Sequence, residues 1–394
     1  MLREQETERV GPLEFIPSHH PLTPPHTVED RANWLRLLRS RRVGVSTFYR
    51  LLSEHGDAQT ALEVLPDIAR QAGVSDYQIC PHGVIDAELR AGRKDGARLI
   101  LRSDPDYPPL LALIDDAPPA IWVKGNLSLF ERPTLAIVGA RNASSLGHRF
   151  TRTLARELGE EGFAIASGLA RGIDATAHEA ALDSGTLAVL AGGLDEIYPT
   201  ENTALYHSIA ESGLLISEQP FGMKPFARHF PMRNRIVSGL SRATIVIEAA
   251  ARSGSLLTAG NALDQGREVM AVPGHPFDAR SAGCNILLRD GATLIRGARD
   301  VMDTLAAASP LAQTAMETPE HAIPVPEAPA EMRSLSDHAA LHTEILARLA
   351  GSPLPEDDLI RDLGVTADRA SAEILNLELD GRIARKPGGM LALG

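Results

Sequence analysis

The segment from Phe221 to Arg242 combines aromatic and cationic side chains in a pattern suited to an unpaired nucleic acid strand. It holds three of the nine phenylalanines of the chain, interleaved with basic residues: Phe221, Lys224, Phe226, Arg228, Phe230, Arg233 and Arg235. Cations follow a phosphodiester backbone while a phenyl ring stacks on an unpaired base, at ~1–3 kcal/mol per stacked base. Bases in a duplex are already stacked on one another, so the combination favours single strands. We expect Phe221 to anchor the segment onto the core, whereas Asn234 either fixes the loop or donates to phosphate.

The charge of the chain is unevenly distributed, which bears on a nucleic acid partner. The 394 residues carry a net charge of −12, from 39 basic and 51 acidic residues. A whole-chain sum says little about a field that is screened within about 8–10 Å. Five arginines and no acid lie from Arg132 to Arg156, and no acid lies between Gln219 and Ile247. These windows predict a locally positive surface on an anionic protein.

Four loops rich in glycine, serine and arginine follow predicted strands. Their sequences are GARNASSLG from Gly139, SGLARGID from Ser167, AGGLDEIYP from Ala191 and SGSLLTAG from Ser253. Small residues let backbone N–H groups approach an anion, and the helix N-termini that follow add favourable dipoles. A single glycine at such a turn is more often a packing residue, but four such loops on one sheet edge indicate a ligand that carries phosphate.

The same loops lack the motifs of common nucleotide-binding enzymes. The first loop has Arg141 where a dinucleotide-binding loop needs its second glycine, and the second strand ends in Ser167–Gly168 rather than in an acid. Neither a P-loop nor the GxSxG elbow of hydrolases occurs in the sequence. Asp174 and His178 could form a metal pair, but a third ligand is missing and Asp174 suits a helix start. We therefore predict no catalytic centre, no metal and no cofactor.

Short apolar runs alternate with amphipathic helices from about residue 96 onward. Their near-continuous apolar character predicts strands buried on both faces, and hence a mostly parallel sheet with helices on each side. The fold class is therefore α/β, with a doubly wound, Rossmann-like sheet that binds its ligand at the carboxyl ends of the strands. An extra strand pair is expected around Arg98–Leu101 and Thr293–Ile295. The other predicted strands are Leu135–Gly139, Phe163–Ser167, Thr186–Ala191, Leu214–Ser217, Ala243–Glu248 and Glu268–Val272.

The composition divides the chain into five parts. We predict an irregular arm over residues 1–28, a helical domain of SAM or helix–hairpin–helix type over 29–95, the Rossmann-like domain over 96–305, a flexible linker rich in Ala, Pro and Glu over 306–333, and a winged-helix-like domain over 334–394. The sequence shows no signal peptide and no apolar run long enough for a membrane span. Two isolated cysteines suit a reducing interior, so a cytoplasmic location without a membrane partner is expected.

The two terminal domains carry weaker nucleic acid signals. The turn at Val43–Ser46 could offer backbone N–H groups to a phosphate, although a purely structural role is favoured. The last domain has predicted helices at His338–Leu349, Pro355–Leu363 and Ala367–Asp380, followed by a hairpin in RIARKPGGMLAL. Its ten acids against six basic residues indicate a protein-contact module rather than a DNA reader.

Six motifs in this order resemble the DprA/Smf family of bacterial DNA-processing proteins. They are GARNASSLG at Gly139, SGLARGIDATAHEAAL at Ser167, GGLDEIYPTEN at Gly192, FPMRNRIVSGLS at Phe230, VIEAAARSGSLLTAGNAL at Val246 and VPGHP at Val272. They extend from about Leu135 to Arg296, and the flanking helical and winged-helix-like domains also match the family's three-part plan. The resemblance implies a single-stranded-DNA binder with a pocket at the carboxyl edge of the sheet.

The resemblance also implies which residues form that pocket. In the family, these positions contact phosphate, stack on a base, or form an RNR box and a basic SGS loop. Family members often have a lysine shortly before the stacking phenylalanine, and we give that role to Arg228. The matching positions here are Gly139, Ala140, Arg141, Arg228, Phe230, Arg233, Asn234, Arg235, Arg252, Ser253, Gly254 and Ser255.

The family plan further implies partners. Its members self-associate through the Rossmann-like domain, so a homodimer is expected. They deliver the RecA recombinase onto strands coated by single-strand-binding protein, during transformation or repair. These expectations come from the resemblance and not from composition or spacing.

Two rival functions remain open. The fold and loops are also similar to nucleoside-monophosphate phosphoribohydrolases, which carry PGGxGTxxE where this chain has RSGSLLTAG with no following acid. A structural adaptor acting through the winged-helix-like domain is the second rival. It predicts that deleting Ser334–Gly394 abolishes activity, whereas a DNA-binding protein should keep most of its DNA affinity.

Overall fold

The computed structural model describes residues 24–307 and, further along the chain, residues 341, 344–349, 354–363, 365, 370, 374, 377, 382–386 and 390–393. Two compact units divide the chain, Met1–Met316 and Glu317–Gly394. Most of the predicted arm 1–28 and linker 306–333 lies outside the described residues, as do parts of the predicted helices His338–Leu349 and Ala367–Asp380. The five predicted domain boundaries therefore stay predictions.

Four helices form the N-terminal part of the larger unit: α1 Val28–Arg39, α2 Val45–His55, α3 Ala58–Gln71 and α4 His82–Lys94. Thr27 and Asp30 form a capping box at the start of α1, and the side chain of Asp57 caps α3. The apolar faces of these helices enclose a core around Trp34 and Phe48, whose ring centroids lie 4.9 Å apart. The predicted helical domain is confirmed.

A nine-stranded sheet follows, with strands β1 Arg98–Leu101, β2 Ala120–Gly125, β3 Thr134–Gly139, β4 Ala164–Ser167, β5 Thr186–Val189, β6 Leu214–Ser217, β7 Ala243–Ile247, β8 Glu268–Ala271 and β9 Thr293–Leu294. Their order across the sheet is β1-β2-β6-β5-β4-β3-β7-β8-β9. The pairings from β6 through β3 to β9 are parallel, and those of β2 with β1 and β6 are antiparallel. The predicted doubly wound, mostly parallel sheet is confirmed.

Eight further helices surround this sheet: α5 Pro109–Ala112, α6 Ser145–Glu160, α7 Ile173–Ala180, α8 Thr203–Ser212, α9 His229–Gly239, α10 Gly254–Asp264, α11 Ala282–Arg289 and α12 Ala298–Ala307. Two short 3-10 helices, Leu127–Glu131 and Thr200–Asn202, complete the connections. The longest described helix, α6, has 16 residues. None of the helices in the described ranges is long and apolar enough to cross a membrane.

Alternate residues of β3 show how the two faces of the sheet are covered. Leu135 and Ile137 pack in one core cluster with α6, α7 and α12. Ala136 and Val138 pack in the other cluster with α9 and α10. The chain thus leaves β3 through α6 on one face and leaves β7 through α10 on the other. This makes the gap between the carboxyl ends of β3 and β7 the topological switch point, where sheets of this kind bind ligands.

The expected extra strand pair is wrong in its pairing. Arg98–Leu101 is a strand, but it pairs with β2 at one edge of the sheet, whereas Thr293–Leu294 pairs with β8 at the opposite edge. Strand β2, whose first four residues are buried, was not predicted from the sequence. This strand follows two prolines directly and inserts antiparallel beside β6, so the alternation of strands and helices gives no sign of it.

The smaller unit contains a three-stranded antiparallel sheet of β10 Leu354–Pro355, β11 Ile383–Lys386 and β12 Met390–Leu393, in the order β10-β12-β11. Residues 344–349 are helical, and α13 extends over Glu356–Leu363, close to its predicted bounds. Its core includes Ile345, Leu359, Ile374 and Leu391. The predicted hairpin is confirmed by the pairing of β11 with β12.

Candidate nucleic-acid interface

A cavity of about 430 Å³, which we call the groove, opens at the switch point between β3 and β7. The loop after β3, the start of α9 and the loop after β7 form its walls. The predicted site residues that line it are Gly139, Ala140, Arg141, Phe230, Arg233, Asn234, Ser253, Gly254 and Ser255. The structure therefore brings together three groups of residues that are far apart in the sequence.

Two glycines explain why the loops meet so closely at the groove. A Cβ atom on Gly139 would lie 1.9 Å from the carbonyl oxygen of Ile247 on the neighbouring strand. Gly172 has a φ of +79°, and a Cβ atom there would lie 2.2 Å from the carbonyl oxygen of Ala140. Only glycine at both positions leaves room for these contacts between backbone segments. The contacts hold the loop after β3 against the edge of the sheet.

An aromatic ring and a cation form the rim of the groove. Phe230 is half-buried, and the guanidinium carbon of Arg141 lies 5.5 Å from the centroid of its ring. This is the geometry of an attractive cation–π contact. Arg141 is exposed and forms no ion pair with the residues that the structure describes. Its charge is therefore available to an anionic ligand.

Arg233 forms the floor of the groove rather than its rim. It is 5% exposed, and its Nη1 donates to the carbonyl oxygen of Val189 at 2.9 Å. Its guanidinium lies against Gly168 so closely that no Cβ atom would fit there. Burial lowers the pKa of Arg233, the nearby Asp174 opposes that shift, and an arginine stays protonated under both effects. The Nε atom is buried and has no hydrogen-bond partner among the described residues.

Asp174 and His178 hold the loop beneath the groove, as the structural interpretation of their spacing predicts. The carboxylate of Asp174 accepts hydrogen bonds from the backbone N–H groups of Gly168 at 3.2 Å and Ala170 at 3.4 Å. Nε2 of His178 accepts from the N–H of Leu169 at 3.3 Å, and burial lowers the pKa of this imidazole to about 3. No cluster able to hold a metal ion occurs within the described ranges.

Arg235 does not reach the groove, although the family resemblance places it there. Residues two apart on a helix differ in direction by about 200°, so Arg233 and Arg235 point to different sides of α9. Arg235 is buried in ion pairs, with Glu218 at 2.5 Å and with Asp116 at 3.2 Å. Its Nη1 also donates to the carbonyl oxygen of Asp116 at 2.6 Å. The structure thus places Arg235 outside the lining of the groove, in buried ion pairs, whereas the resemblance implied a DNA contact there.

The same ion-pair seam continues into the N-terminal helices. Arg39 of α1 pairs with Glu88 of α4 at 2.8 Å and donates to the carbonyl oxygen of Glu218 at 3.3 Å. The indole of Trp122 donates to Glu88 at 2.8 Å. Through Glu218 and Arg235, these contacts connect the N-terminal helices to α9.

Asn234 joins α9 to the loop after β7. Its Nδ2 donates to the carbonyl oxygen of Gly254 at 3.3 Å. Of the two roles that the sequence left open for Asn234, this contact corresponds to fixing the loop. Ser253 caps α10, since its hydroxyl accepts the N–H of Ser255 at 3.3 Å and lies 2.7 Å from the Ser255 hydroxyl. The third wall of the groove is therefore fixed at both ends.

Besides Arg235, two predicted cations lie outside the lining of the groove. Arg228 is exposed, with its guanidinium 5.7 Å from the ring centroid of Phe226, and Arg252 is exposed on the loop after β7. Both lie on segments that carry groove residues, so their charges can make the electrostatic potential at the groove more positive without contacting a ligand in it. Phe221 packs edge-on against Trp122 with centroids 4.9 Å apart, which confirms its expected anchoring role.

Three residues near the groove were not predicted from the sequence to belong to the site. Tyr198 is 49% exposed, and its ring centroid lies 5.6 Å from that of Phe230. Arg171 lies with Tyr198 on a small adjoining cavity. Arg280 lines the groove itself and pairs with Asp278 at 3.1 Å. The motif GGLDEIYPTEN contains Tyr198, but only the folded loops reveal that this ring is exposed beside Phe230.

A larger cavity, of about 720 Å³, lies beside the groove between α6, α12 and the ends of β7 and β8. Two of its basic residues already have acidic neighbours: Arg296 pairs with Asp300 at 2.8 Å and Arg299 lies 3.9 Å from Asp303. Glu157, Glu248 and Asp278 add acidic groups to its lining. Size alone therefore does not make this cavity the better site for a polyanion.

Comparison with protein families matches nearly the whole described chain. A family model described as DNA recombination-mediator protein A matches residues 98–306. Models described as a DprA-like N-terminal HHH domain and a DprA winged helix domain match residues 28–91 and 327–389.

Individual relatives agree with this result. Protein Smf of Escherichia coli is 37% identical over 316 residues, which cover 79% of this chain and 82% of that protein. The DNA processing protein DprA of Bacillus subtilis is 42% identical over 220 residues, covering 55% of this chain and 74% of that protein.

Two solved structures are similar. The X-ray structure of DNA processing protein A from Streptococcus pneumoniae superposes with a TM-score of 0.60 at 36% identity, covering 69% of this chain and 97% of that chain. DNA processing protein A from Helicobacter pylori, described by its single-stranded DNA binding mode, has a TM-score of 0.50 at 31% identity, covering 54% of this chain and 96% of that chain.

Proposed function

The chain belongs to the DNA recombination-mediator protein A family, and we propose that its groove binds single-stranded DNA without sequence preference. The observation that supports this most strongly is the position of Phe230. Its ring lies half-exposed at the topological switch point, with the guanidinium of Arg141 over it, and the buried Arg233 lines the same groove. A ring in this position can stack on an unpaired base, and because every base has a π face the contact is sequence-tolerant.

The remaining groove residues fit the strand's backbone. Arg141 turns from the Phe230 ring to a phosphate when a base takes its place over the ring. Backbone N–H groups of Gly139 and Ala140, and those at the start of α10, lie where a second phosphate passes. Asn234 fixes the wall that they share, and Arg228 and Arg252 add positive field at the margins. The proposed contact set therefore omits Arg235, which the ion pairs with Glu218 and Asp116 occupy.

A relative supports the choice of ligand. The Helicobacter pylori protein is described by its single-stranded DNA binding mode, and it shares 31% identity with this chain. We extend that ligand to this chain because the rim and the floor of the groove supply the chemistry that an unpaired strand needs.

The family description as a recombination mediator supports a further role. We propose that bound strands are delivered to the RecA recombinase, on DNA coated by single-strand-binding protein, during transformation or repair. Self-association through the Rossmann-like domain would give a homodimer with two grooves. The winged-helix domain would contact a protein partner, so deleting residues 334–394 should leave most DNA affinity intact and impair delivery. Loss of all DNA binding on this deletion would contradict the division of roles.

A titration tests the proposal directly. Fluorescence polarisation with labelled oligo-dT and a duplex of the same length, at about 50 and 200 mM salt, should show tight, salt-sensitive binding of the single strand and much weaker binding of the duplex. Equal affinity for both forms, or an affinity independent of salt, would overturn it. Release of free adenine from AMP at enzymatic rates would instead support a phosphoribohydrolase, although no acid lies between Ala249 and Leu263 to serve one.

A further inference from the structure

The groove does not end at Phe230. A second, small cavity of about 20 Å³ adjoins the groove at that ring and is lined by the loops after β4 and β5. It shares Arg141, Phe230 and Arg233 with the groove and adds Arg171 and Tyr198. A continuous path therefore runs from the start of α10, across Phe230, to Tyr198.

Tyr198 is one of the exposed aromatic residues of the described chain, together with Phe226 and Phe277, and it is the one whose ring lies against Phe230. Trp34, Trp122, Phe48 and Tyr206 are buried, whereas Tyr198 is 49% exposed. Its ring centroid lies 5.6 Å from that of Phe230, and the two planes are inclined by 60°. Folding therefore leaves a second aromatic face open to solvent directly beside the first.

The segments that carry Tyr198 and Arg171 are joined to each other. Nδ2 of Asn202 donates to the carbonyl oxygens of Leu169 at 2.9 Å and Ala170 at 3.3 Å, which ties the loop after β5 to the loop after β4. The N–H of Leu169 is held by His178 at 3.3 Å. The two side chains thus sit on a fixed frame, which lowers the entropic cost of binding a ligand there.

Arg171 is a cation that a phosphate can recruit. Its side chain is 60% exposed, and its described ion pair, with Glu201, has an N–O distance of 3.3 Å and an equally exposed partner. Exposed pairs of this kind contribute little free energy. A phosphodiester passing over Tyr198 can therefore replace Glu201 as the partner of Arg171.

We propose that Tyr198 and Arg171 form a second nucleotide subsite, in which the next base of the strand stacks on Tyr198 and its phosphate pairs with Arg171. This proposal rests on single-stranded DNA as the ligand of the groove. Stacked planes lie about 3.4 Å apart, so one base between two rings needs about twice that separation. At 5.6 Å the rings are too close for such a sandwich, and each ring takes a base of its own.

A length series of oligo-dT tests this subsite by fluorescence polarisation. With long oligomers, Tyr198→Ala should weaken binding roughly tenfold, and Tyr198→Phe should bind like the parent because the ring is kept. As the oligomer is shortened, the affinities of Tyr198→Ala and the parent should converge once the strand fills only the Phe230 subsite. Equal affinity of Tyr198→Ala and the parent at every length would overturn the subsite, as would a Tyr198→Phe variant as weak as Tyr198→Ala.

Charge variants give a second readout with opposite signs. Arg171→Ala should weaken binding of long oligomers severalfold, whereas Glu201→Gln should strengthen it, because Arg171 is then released to the strand. A Glu201→Gln variant that binds more weakly than the parent would contradict the role of Arg171. Phe230→Ala in the same series separates the two proposals. If this variant binds oligo-dT like the parent, the groove is not the DNA site. If Phe230→Ala binds weakly while the Tyr198 and Arg171 variants bind like the parent, only the second subsite fails.

Discussion

The rim of the groove and the support beneath it use arginine in opposite ways. At the rim, Arg141 is exposed, unpaired by described acids, and lies over the Phe230 ring. In the support each side chain is buried and already hydrogen-bonded to protein; its members are Asp174, His178, Arg233 and Arg235. A basic residue of these motifs can therefore contact the ligand only if its guanidinium is exposed and is not already paired within the protein. Substitutions in the support should therefore change stability, and substitutions at the rim should change affinity.

The largest effect is expected at Arg235. Arg235→Ala leaves Glu218 buried without its partner, which should lower the free energy of unfolding by about 3–5 kcal/mol in urea titrations. The exposed Arg242→Ala is the matched control and should change it by less than about 0.5 kcal/mol. The double variant Arg235→Met with Glu218→Leu should regain most of the stability and bind oligo-dT nearly as the parent does. A stable double variant that has lost DNA binding would place Arg235 at the rim after all.

The support should also make stability depend on pH through His178. The pKa of its imidazole is about 3 in the folded protein against an ordinary value of 6.5, so between these values the unfolded chain holds a proton that the folded chain lacks. The free energy of unfolding should therefore fall as the pH falls from 6.5, by roughly 1 kcal/mol per pH unit from this group.

His178→Gln isolates this contribution, because the other titrating groups are the same in both proteins. Urea unfolding at about pH 6 and pH 5 should show a shallower pH dependence for the variant by roughly 1 kcal/mol per pH unit. The exposed His207→Gln should keep the slope of the parent. Identical slopes for the parent and His178→Gln would mean that this imidazole titrates as it does in water.

At the rim, Phe230→Ala should act on binding alone. Loss of one base–ring stack should weaken oligo-dT binding by about 1–3 kcal/mol, or about 5- to 150-fold in Kd, with little change in thermal stability. Phe226 is 53% exposed but lies outside the lining of the groove, so Phe226→Ala should change Kd by less than about threefold. The reverse order of these two variants in a polarisation titration would move the stacking site to Phe226.

The smallest expected effect is on the salt dependence at Arg141. Arg141→Ala removes one phosphate contact, so the slope of log K against log salt should become shallower by about 0.7. Arg299 is exposed on the larger cavity, and Arg299→Ala should leave the slope unchanged. An altered slope for Arg299→Ala alone would move the strand to the larger cavity.

Much of the sheet was predictable because its strands are short apolar runs buried on both faces. Leu214–Ser217 was predicted to the residue, and the loops after β3 and β7 were placed at one edge because parallel strands share their carboxyl ends. The second strand from one edge, β2, was not predicted, since it runs antiparallel between β1 and β6 and is separated from each of them by other elements. Which strands pair near the edge of the sheet depends on the whole fold and cannot be deduced from a single apolar run of residues.

The site divides in the same manner. The interleaved aromatic and basic residues pointed to the segment of Phe230, and the family resemblance implied the roles of Phe230 and Arg141; the structure places both residues on the groove. The role of Arg235 could not, because it is set by Glu218 and Asp116, which only folding brings to that side of α9. The exposure of Tyr198 could not be predicted either, since it depends on how the loop after β5 is held against the loop after β4.

Photochemical cross-linking can show where the strand lies on the protein. Oligo-dT carrying 5-iodouracil, irradiated in complex with the full chain and mapped by mass spectrometry, should attach to Phe230 and, with longer strands, to Tyr198. Cross-links confined to Phe150 or His275, which line the larger cavity, would contradict the proposed DNA site and place the strand beside the groove rather than in it.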